Sequence, residues 1–434
     1  MKIGFISLGC SKNLVDSEKI MGMLKQNSYE FVNNPDEAEA IIINTCGFIN
    51  TAKEEGIRTI FEMAKYKEKN CKKLILVGCL AQRYKEELQN DIPEIDAVIS
   101  IKEYHRIHEI LGDLFDDHTL VSYAKSERLV SSKPWTAYLK IAEGCSNGCT
   151  YCAIPLIRGG NVSFPIEQLV EEAKRLAQSG VKELVLIAQD TTRYGVDLYG
   201  ERSLLRLLKE IHQIEGFHWI RILYMYPDEI DEDLIAGMAQ LKKVVPYFDI
   251  PMQHGTDKIL KLMNRRGSVE EVKKMITMIR HYHPHATLRT TFIVGFPQED
   301  ETDFKGLMQF IEEVRWNRVG GFTYSPEEDT AAYRMEGAVE EEVKEERLAQ
   351  LMKLQENISL ENHKRMIGQE IEVLVEAQEG LIGMYRGRST SSAPDGVDGM
   401  VTFKSSRAIP FGSFVKVKVV EALPHDLIGE EVVA

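Results

Sequence analysis

Three cysteines, Cys145, Cys149 and Cys152, stand close together at the spacing C-x3-C-x2-C. A loop of that spacing can wrap three thiolates around one cube of iron and sulfide, leaving the fourth iron without a protein ligand. An open iron can take a small molecule. Gly144 and Gly148 let such a loop fold tightly. The competing reading is a zinc knuckle, which asks for a fourth Cys or His nearby, and none is adjacent.

A second constellation is spread through the first part of the chain. Cys10, Cys46 and Cys79 each follow an apolar run: ISLG, INT and LVG. Their separations are 36 and 33 residues, about one strand–helix repeat. Strands joined by one crossover run the same way, so all three cysteines fall at the carboxyl edge of a parallel sheet, where open α/β sheets bind ligands. Three thiolates there could hold a second cluster with its own open iron. The alternative is three buried apolar cysteines, which are common in cores. Cys71 lies in a charged stretch and reads as a bystander. Seven cysteines, an odd number, with no signal-peptide layout at the start argue against a disulfide framework.

The elements that must position these residues are legible in outline. Up to about residue 130, short apolar runs (KIGFISLG, AIIINT, KLILVG, AVIS) alternate with amphipathic stretches, which predicts a Rossmann-like βα domain. Ser126–Lys133 reads as a linker. Residues 131–367 repeat the alternation about six times, predicting a full or partial βα barrel of TIM type, and the cysteine loop follows its first strand. The charged run EEEVKEE reads as a solvated helix face. Residues 368–434 change to alternating strands with Gly, Ser and Pro clusters, predicting a small antiparallel β-barrel. The fold class is therefore α/β, with domains 1–130, 131–367 and 368–434. No apolar run reaches the roughly 18 residues of a membrane span, so the expected location is the cytoplasm.

Taken together, these segments resemble the methylthiotransferases of the radical S-adenosylmethionine superfamily along nearly the whole chain. The resemblance rests on the C-x3-C-x2-C loop and on LGCSKNLVDSE, NTCGFINTAKEE, YLKIAEGC, CAIPLIRG and FIVGFPQE. It implies two 4Fe-4S clusters, one on Cys145, Cys149 and Cys152 and one on Cys10, Cys46 and Cys79. It further implies S-adenosylmethionine both as radical source and as methyl donor. Tyr151 would lie beside the adenine, and Gln189 and Asp190 would contact the methionine part. Gln253 and Gly295, also at strand ends, are expected at the same cofactor, although strand-end capping accounts for such residues equally well. The C-terminal barrel resembles a TRAM domain. One departure is Asp329 in YSPEEDTAAY, where relatives usually carry Gly.

Within that family, one branch modifies a tRNA adenosine and another an aspartate of ribosomal protein S-twelve. Ser11-Lys12-Asn13, Gly47-Phe48-Ile49 and DIPMQHGTDKIL resemble the aspartate branch. Charge points the same way. The net charge is −14, and residues 368–434 carry six Lys or Arg against ten Asp or Glu. An acidic barrel suits a basic protein better than RNA, with Glu370, Glu372 and Glu376 as the expected docking face and Arg386 and Arg388 as the patch that could favour RNA instead. The implied partners are ribosomal protein S-twelve or the small ribosomal subunit, a low-potential reductant and a sulfur donor. A non-catalytic iron–sulfur scaffold or electron carrier is the reading from another class. His281, His283 and His285 read as solvated rather than metal-binding. No P-loop is present, and the first βα turn lacks G-x-G-x-x-G, so neither nucleotide hydrolysis nor nicotinamide binding has support.

Overall fold

Five strands near the N-terminus form one parallel sheet: β1 (Lys2–Ser7), β2 (Glu30–Phe31), β3 (Ala40–Thr45), β4 (Lys73–Gly78) and β5 (Ala97–Ile99). Their order is β2-β1-β3-β4-β5. The computed structural model describes residues 1–27, 29–123, 126–380 and 383–433. Contacts divide the chain into two units. The first comprises Met1–Ser132, Glu143–Val162 and Ser325–Thr330; the second comprises Lys133–Ala142, Ser163–Tyr324 and Ala331–Ala434.

In the first unit, helices cover both faces of the sheet, so its central strands must be apolar on both sides. All six residues of β3, AIIINT, are buried. Ile42, Ile75 and Val77 pack with Ile20, Ile107 and Leu111 on one face. Ile41, Ile43, Leu74 and Leu76 pack with Ile60, Leu80 and Leu88 on the other. The stretch expected to be a linker is laid along the first helix, Ser11–Gln26, instead. Glu18 is the reason: its buried carboxylate pairs with Arg128 at 2.5 Å and accepts from the Ser131 backbone at 2.7 Å.

The second unit contains six further parallel strands. Two short strands, β7 (Ala142–Glu143) and β8 (Val162–Ser163), flank the cysteine loop. The six are β6 (Thr136–Lys140), β9 (Glu183–Ile187), β10 (Trp219–Ile222), β11 (Tyr247–Asp249), β12 (Thr287–Val294) and β13 (Arg318–Thr323). They form two three-stranded sheets, β10-β9-β6 and β11-β12-β13, joined where Ile220 bridges Val244. This is a partial βα barrel. Among the described residues, no helix is long and apolar enough to cross a membrane.

The C-terminal barrel, β14 (Glu370–Gln378), β15 (Met384–Ser389), β16 (Val401–Lys404), β17 (Phe414–Ala422) and β18 (Leu427–Glu431), closes in the order β14-β15-β16-β18-β17. It is not wholly antiparallel: β16 and β18 run parallel. Parity requires this, because a closed ring with an odd number of strands cannot make every neighbour antiparallel. The barrel is seated on the βα sheet by a buried charge cluster. Glu183 pairs with Arg221 at 2.9 Å and Arg388 at 2.5 Å, and Arg388 also reaches Glu376 at 3.0 Å.

Candidate active site

The register of the first sheet brings the three strand-end cysteines together. Thr45 pairs with Gly78, so Cys46 and Cys79 leave adjacent strands at the same level. Ser7 pairs with Asn44, and the Leu8 N–H donates to the Asn44 carbonyl at 2.8 Å, which carries the chain through Gly9 to Cys10. A Cβ on Gly9 would stand 2.8 Å from the Cys46 Cβ and 3.3 Å from its sulfur, and φ there is +86°. Only glycine lets this turn lie against Cys46 without strain. Asn13 ties the edge together, its amide donating to the carbonyls of Leu8 at 3.2 Å and Thr45 at 3.1 Å.

The three thiols sense one another. Burial pushes the Cys46 thiol up to about 11, helped by Cys79 and Cys10, against a hydrogen bond from the Phe48 backbone. Burial also raises Cys79, although Arg158 opposes it. Around Cys10, burial is outweighed by Lys12, Arg158 and the backbone N–H groups of Asn13 and Lys12, so that thiol is held below its ordinary range. Cys10 nevertheless keeps access to solvent. All seven cysteines are free thiols, and Cys71 is buried with its sulfur on the Lys73 carbonyl at 3.3 Å, inside the apolar core.

The second triad is built locally. The Cys145 N–H donates to the Gly159 carbonyl at 3.0 Å, and the Cys152 N–H to the Cys149 carbonyl at 3.1 Å. Gly144 has φ +75°, and a Cβ there would collide with the Gly160 carbonyl oxygen. The Asn161 N–H donates to the Ser146 hydroxyl at 3.0 Å. The loop is thus pinned at its neck. It leads through Tyr151, which is half-buried, into the short helix Ile154–Arg158. Ala153 and Ile157 pack directly on Cys79. Both triads therefore belong to one unit. Among the described residues, no three His, Cys, Asp or Glu side chains converge as for a single metal ion. A cubane does not ask for that convergence, because its thiolates bind separate irons.

The other expected residues lie at strand ends of the second unit. Gln189 and Asp190 follow β9, and Asp190 is buried, accepting from the Thr192 N–H at 3.0 Å and hydroxyl at 2.5 Å. Gln253 follows β11 with φ +76°, a conformation a non-glycine residue adopts at a cost. Its N–H donates to the Thr291 carbonyl at 2.7 Å. Gly295 directly follows β12 and its N–H donates to Glu299 at 2.7 Å; Arg347 holds the other oxygen of that carboxylate at 3.0 Å.

Some expectations need correction. Glu376 does not face a partner; it is buried against Arg388 and Lys133. Glu372 is engaged by His218 at 2.8 Å and Trp219 at 3.2 Å, and only Glu370 of the three is free of such a tie to the βα sheet. Arg388 is buried, so it forms no exposed basic patch, and Arg386 lies 3.7 Å from Glu379. His283 is buried, its Nε2 against the Ile235 carbonyl at 2.9 Å. In the helix Glu341–Lys364, the run EEEVKEE is exposed as expected except at Lys344, which is buried with Arg347 and Leu351 on the opposite face. Two features had no signal in the motif spacing: the Arg158 guanidinium beside Cys79, and Glu327, which pairs with Arg83 at 2.8 Å and Lys53 at 3.0 Å.

Comparison with known proteins shows which families the chain resembles. Residues 2–100 match the profile described as uncharacterized protein family UPF0004, residues 139–311 the radical SAM superfamily and residues 367–432 the TRAM domain. Among solved structures, a radical S-adenosylmethionine methyltransferase, TsrM, from Kitasatospora setae superposes with a TM-score of 0.55 at 10% identity, covering 89% of this chain and 80% of that one. That likeness shows the fold, and the radical SAM match over residues 139–311 says which class of enzyme carries it here. The chain is 48% identical to the ribosomal protein uS12 methylthiotransferase RimO of Acetivibrio thermocellus, over 99% of this chain and 98% of that protein. It is 49% identical to the corresponding protein of Desulforamulus reducens, over 99% of each. The chain belongs to the ribosomal protein uS12 methylthiotransferase family.

Proposed function

We propose that this protein inserts a methylthio group at the β-carbon of an aspartate of ribosomal protein uS12. The observation that carries the reading is the meeting of two cysteine triads in one unit, with Cys79 packed on the helix that leaves the Cys145–Cys152 loop. The donor sets fit two four-iron clusters: each offers three free thiols, and each is cradled by a glycine that a side chain would displace. A cluster held by Cys145, Cys149 and Cys152 would supply the electron for radical formation from S-adenosylmethionine, and one held by Cys10, Cys46 and Cys79 would supply a site for the sulfur to be transferred.

The protein's own residues do the rest. Cys145, Cys149 and Cys152 hold the first cluster and leave one iron for S-adenosylmethionine. By family resemblance, Tyr151 in the first unit and, separately, Gln189, Asp190, Gln253 and Gly295 in the second would be the residues that meet that molecule. Cys10, Cys46 and Cys79 hold the second cluster. An unactivated C–H bond is too weak an acid for a base to open, so the site must exclude water around a radical rather than position a general base. A low-potential reductant and a sulfur donor complete the reaction in the cytoplasm.

The test is anaerobic reconstitution followed by incubation with uS12, tRNA, S-adenosylmethionine and reductant. A methylthio mass shift on an aspartate peptide of uS12 is expected. Modification of tRNA alone would reassign the substrate, and absence of 5′-deoxyadenosine would reduce the protein to a scaffold.

A further inference from the structure

Arg158 is buried, with its guanidinium among four groups from three parts of the first unit. One terminal nitrogen donates to Asp16 at 3.1 Å and Glu143 at 2.7 Å. The other donates to Asn13 at 2.5 Å and to the Cys79 sulfur at 3.4 Å. A guanidinium has four terminal N–H groups, and these four contacts use them all. No terminal donor remains for a substrate carboxylate or a cofactor, so these groups act through the residues they hold, and of those residues only Cys79 is a cluster thiol. Asn13 in turn accepts from Cys79 at 3.4 Å and holds the ends of β1 and β3. The residue comes from the helix directly after Cys152, so one side chain joins the backbone of the loop triad to a sulfur of the strand-end triad.

We infer that Arg158 is a positioning residue for the strand-end cluster: it fixes the Cys79 sulfur and sets the reduction potential of that cluster by a charged N–H···S hydrogen bond. The inference rests on the two-cluster reading above. Hydrogen bonds to cluster sulfurs and nearby positive charge stabilise the reduced, more negative state. Lysine keeps the charge but not the planar fork, so it cannot hold Asn13, Cys79 and both carboxylates at once.

The experiment uses full-length protein in two backgrounds. Cys145, Cys149 and Cys152 replaced by Ala leaves only the strand-end cluster; Cys10, Cys46 and Cys79 replaced by Ala leaves only the loop cluster. Arg158→Lys is added to each, and iron content and midpoint potential are measured after anaerobic reconstitution. In the first background the potential is expected to fall, with about a tenfold drop in the reduced-to-oxidised ratio at a fixed poise, ~59 mV for one electron. In the second it is expected to stay within error. Should Arg158→Lys fail to fold, the paired change Arg158→Met with Asp16→Asn removes the fork and neutralises the more deeply buried of its two carboxylates, leaving only the partly exposed Glu143 without its partner, and the same fall is expected. An unchanged potential in the first background, or equal shifts in both, overturns the role and leaves Arg158 a purely structural anchor. If the first background with native Arg158 binds no iron, the two-cluster reading itself fails and takes this role with it.

Discussion

Cys145, Cys149 and Cys152 are neighbours in the chain, while Cys10, Cys46 and Cys79 come from the ends of three strands and meet only through sheet register. The loop triad is held by a few backbone hydrogen bonds at its neck. The strand-end triad is held by the whole core of the first unit, since a slip of one residue in β1, β3 or β4 would turn a cysteine away. A local device concentrates its vulnerability in a few glycines; a topological one spreads it over a fold. The largest expected effect tests the division of labour. Replacing Cys145, Cys149 and Cys152 by Ala should leave about half of roughly eight irons and abolish 5′-deoxyadenosine formation. Replacing Cys10, Cys46 and Cys79 should abolish methylthio transfer yet spare part of the cleavage. Iron analysis and chromatography of the products read both, and a triple variant of either kind that keeps all its iron breaks the comparison.

Glycine substitutions probe the two devices separately. Gly144→Ala places a Cβ on the Gly160 carbonyl at positive φ, a conflict of backbone against backbone that the loop cannot relieve. It should cost the loop about 2 kcal/mol or more and empty that site of iron while the sheet unfolds at its usual temperature. Gly9→Ala meets the Cys46 side chain instead. It should weaken iron binding at the strand-end triad and leave the loop loaded. Reversed outcomes in the two reconstitutions would show that the triads are not independently built.

How much of this was legible in the sequence follows from the same contrast. The loop triad is a motif within one short window, and the strand-end triad is a period near one βα repeat, so both could be read without coordinates. Arg158 could not, because its partners Asn13, Asp16 and Cys79 are distant in the chain and no spacing relates them. The barrel face failed for another reason. Even spacing places Glu370, Glu372 and Glu376 on one strand face, but the register of β14 shifts between Val375 and Ala377, and Glu376 turns to the buried Arg388. The parallel pairing of β16 with β18 was invisible to alternation, which cannot distinguish strand directions.

Glu327 sharpens the comparison at intermediate scale. Its carboxylate is buried against Arg83 and Lys53, and Arg83 also donates to the Gly47 carbonyl at 3.3 Å. Arg83 ends the helix that Cys79 begins, and Gly47 follows Cys46, so the brace ties down the segments that carry two of the three strand-end ligands. Glu327→Ala strands a buried guanidinium, at a cost of about 3 kcal/mol. Chemical denaturation should record that loss. Iron should be lost from the strand-end site before the loop site, and equal loss from both would place the brace elsewhere.

The smallest effect comes from Asp329, two residues along the same segment, where φ is +64°. Two terms oppose each other. A left-handed conformation costs an ordinary L-residue about 1 kcal/mol or more, less for Asp than for bulkier side chains. Glycine removes that strain but loses about 0.5–1 kcal/mol through the greater freedom of its unfolded chain. The side chain decides little, because Asp329 is exposed and the turn is closed by its neighbours: the Thr330 hydroxyl donates to the Glu327 carbonyl at 2.6 Å. The strain term is the larger by a narrow margin, so Asp329→Gly should stabilise the first unit by about 0.5 kcal/mol. It should also slow iron loss from the strand-end triad, since Glu327 is held in place by this turn, and leave the loop triad's rate alone. Differential scanning calorimetry of the apoprotein, with chelator-driven iron release from the two single-cluster variants, measures both. Destabilisation by Gly, or a changed release rate at the loop, would mean that the turn is relaxed as it stands or braces the other triad.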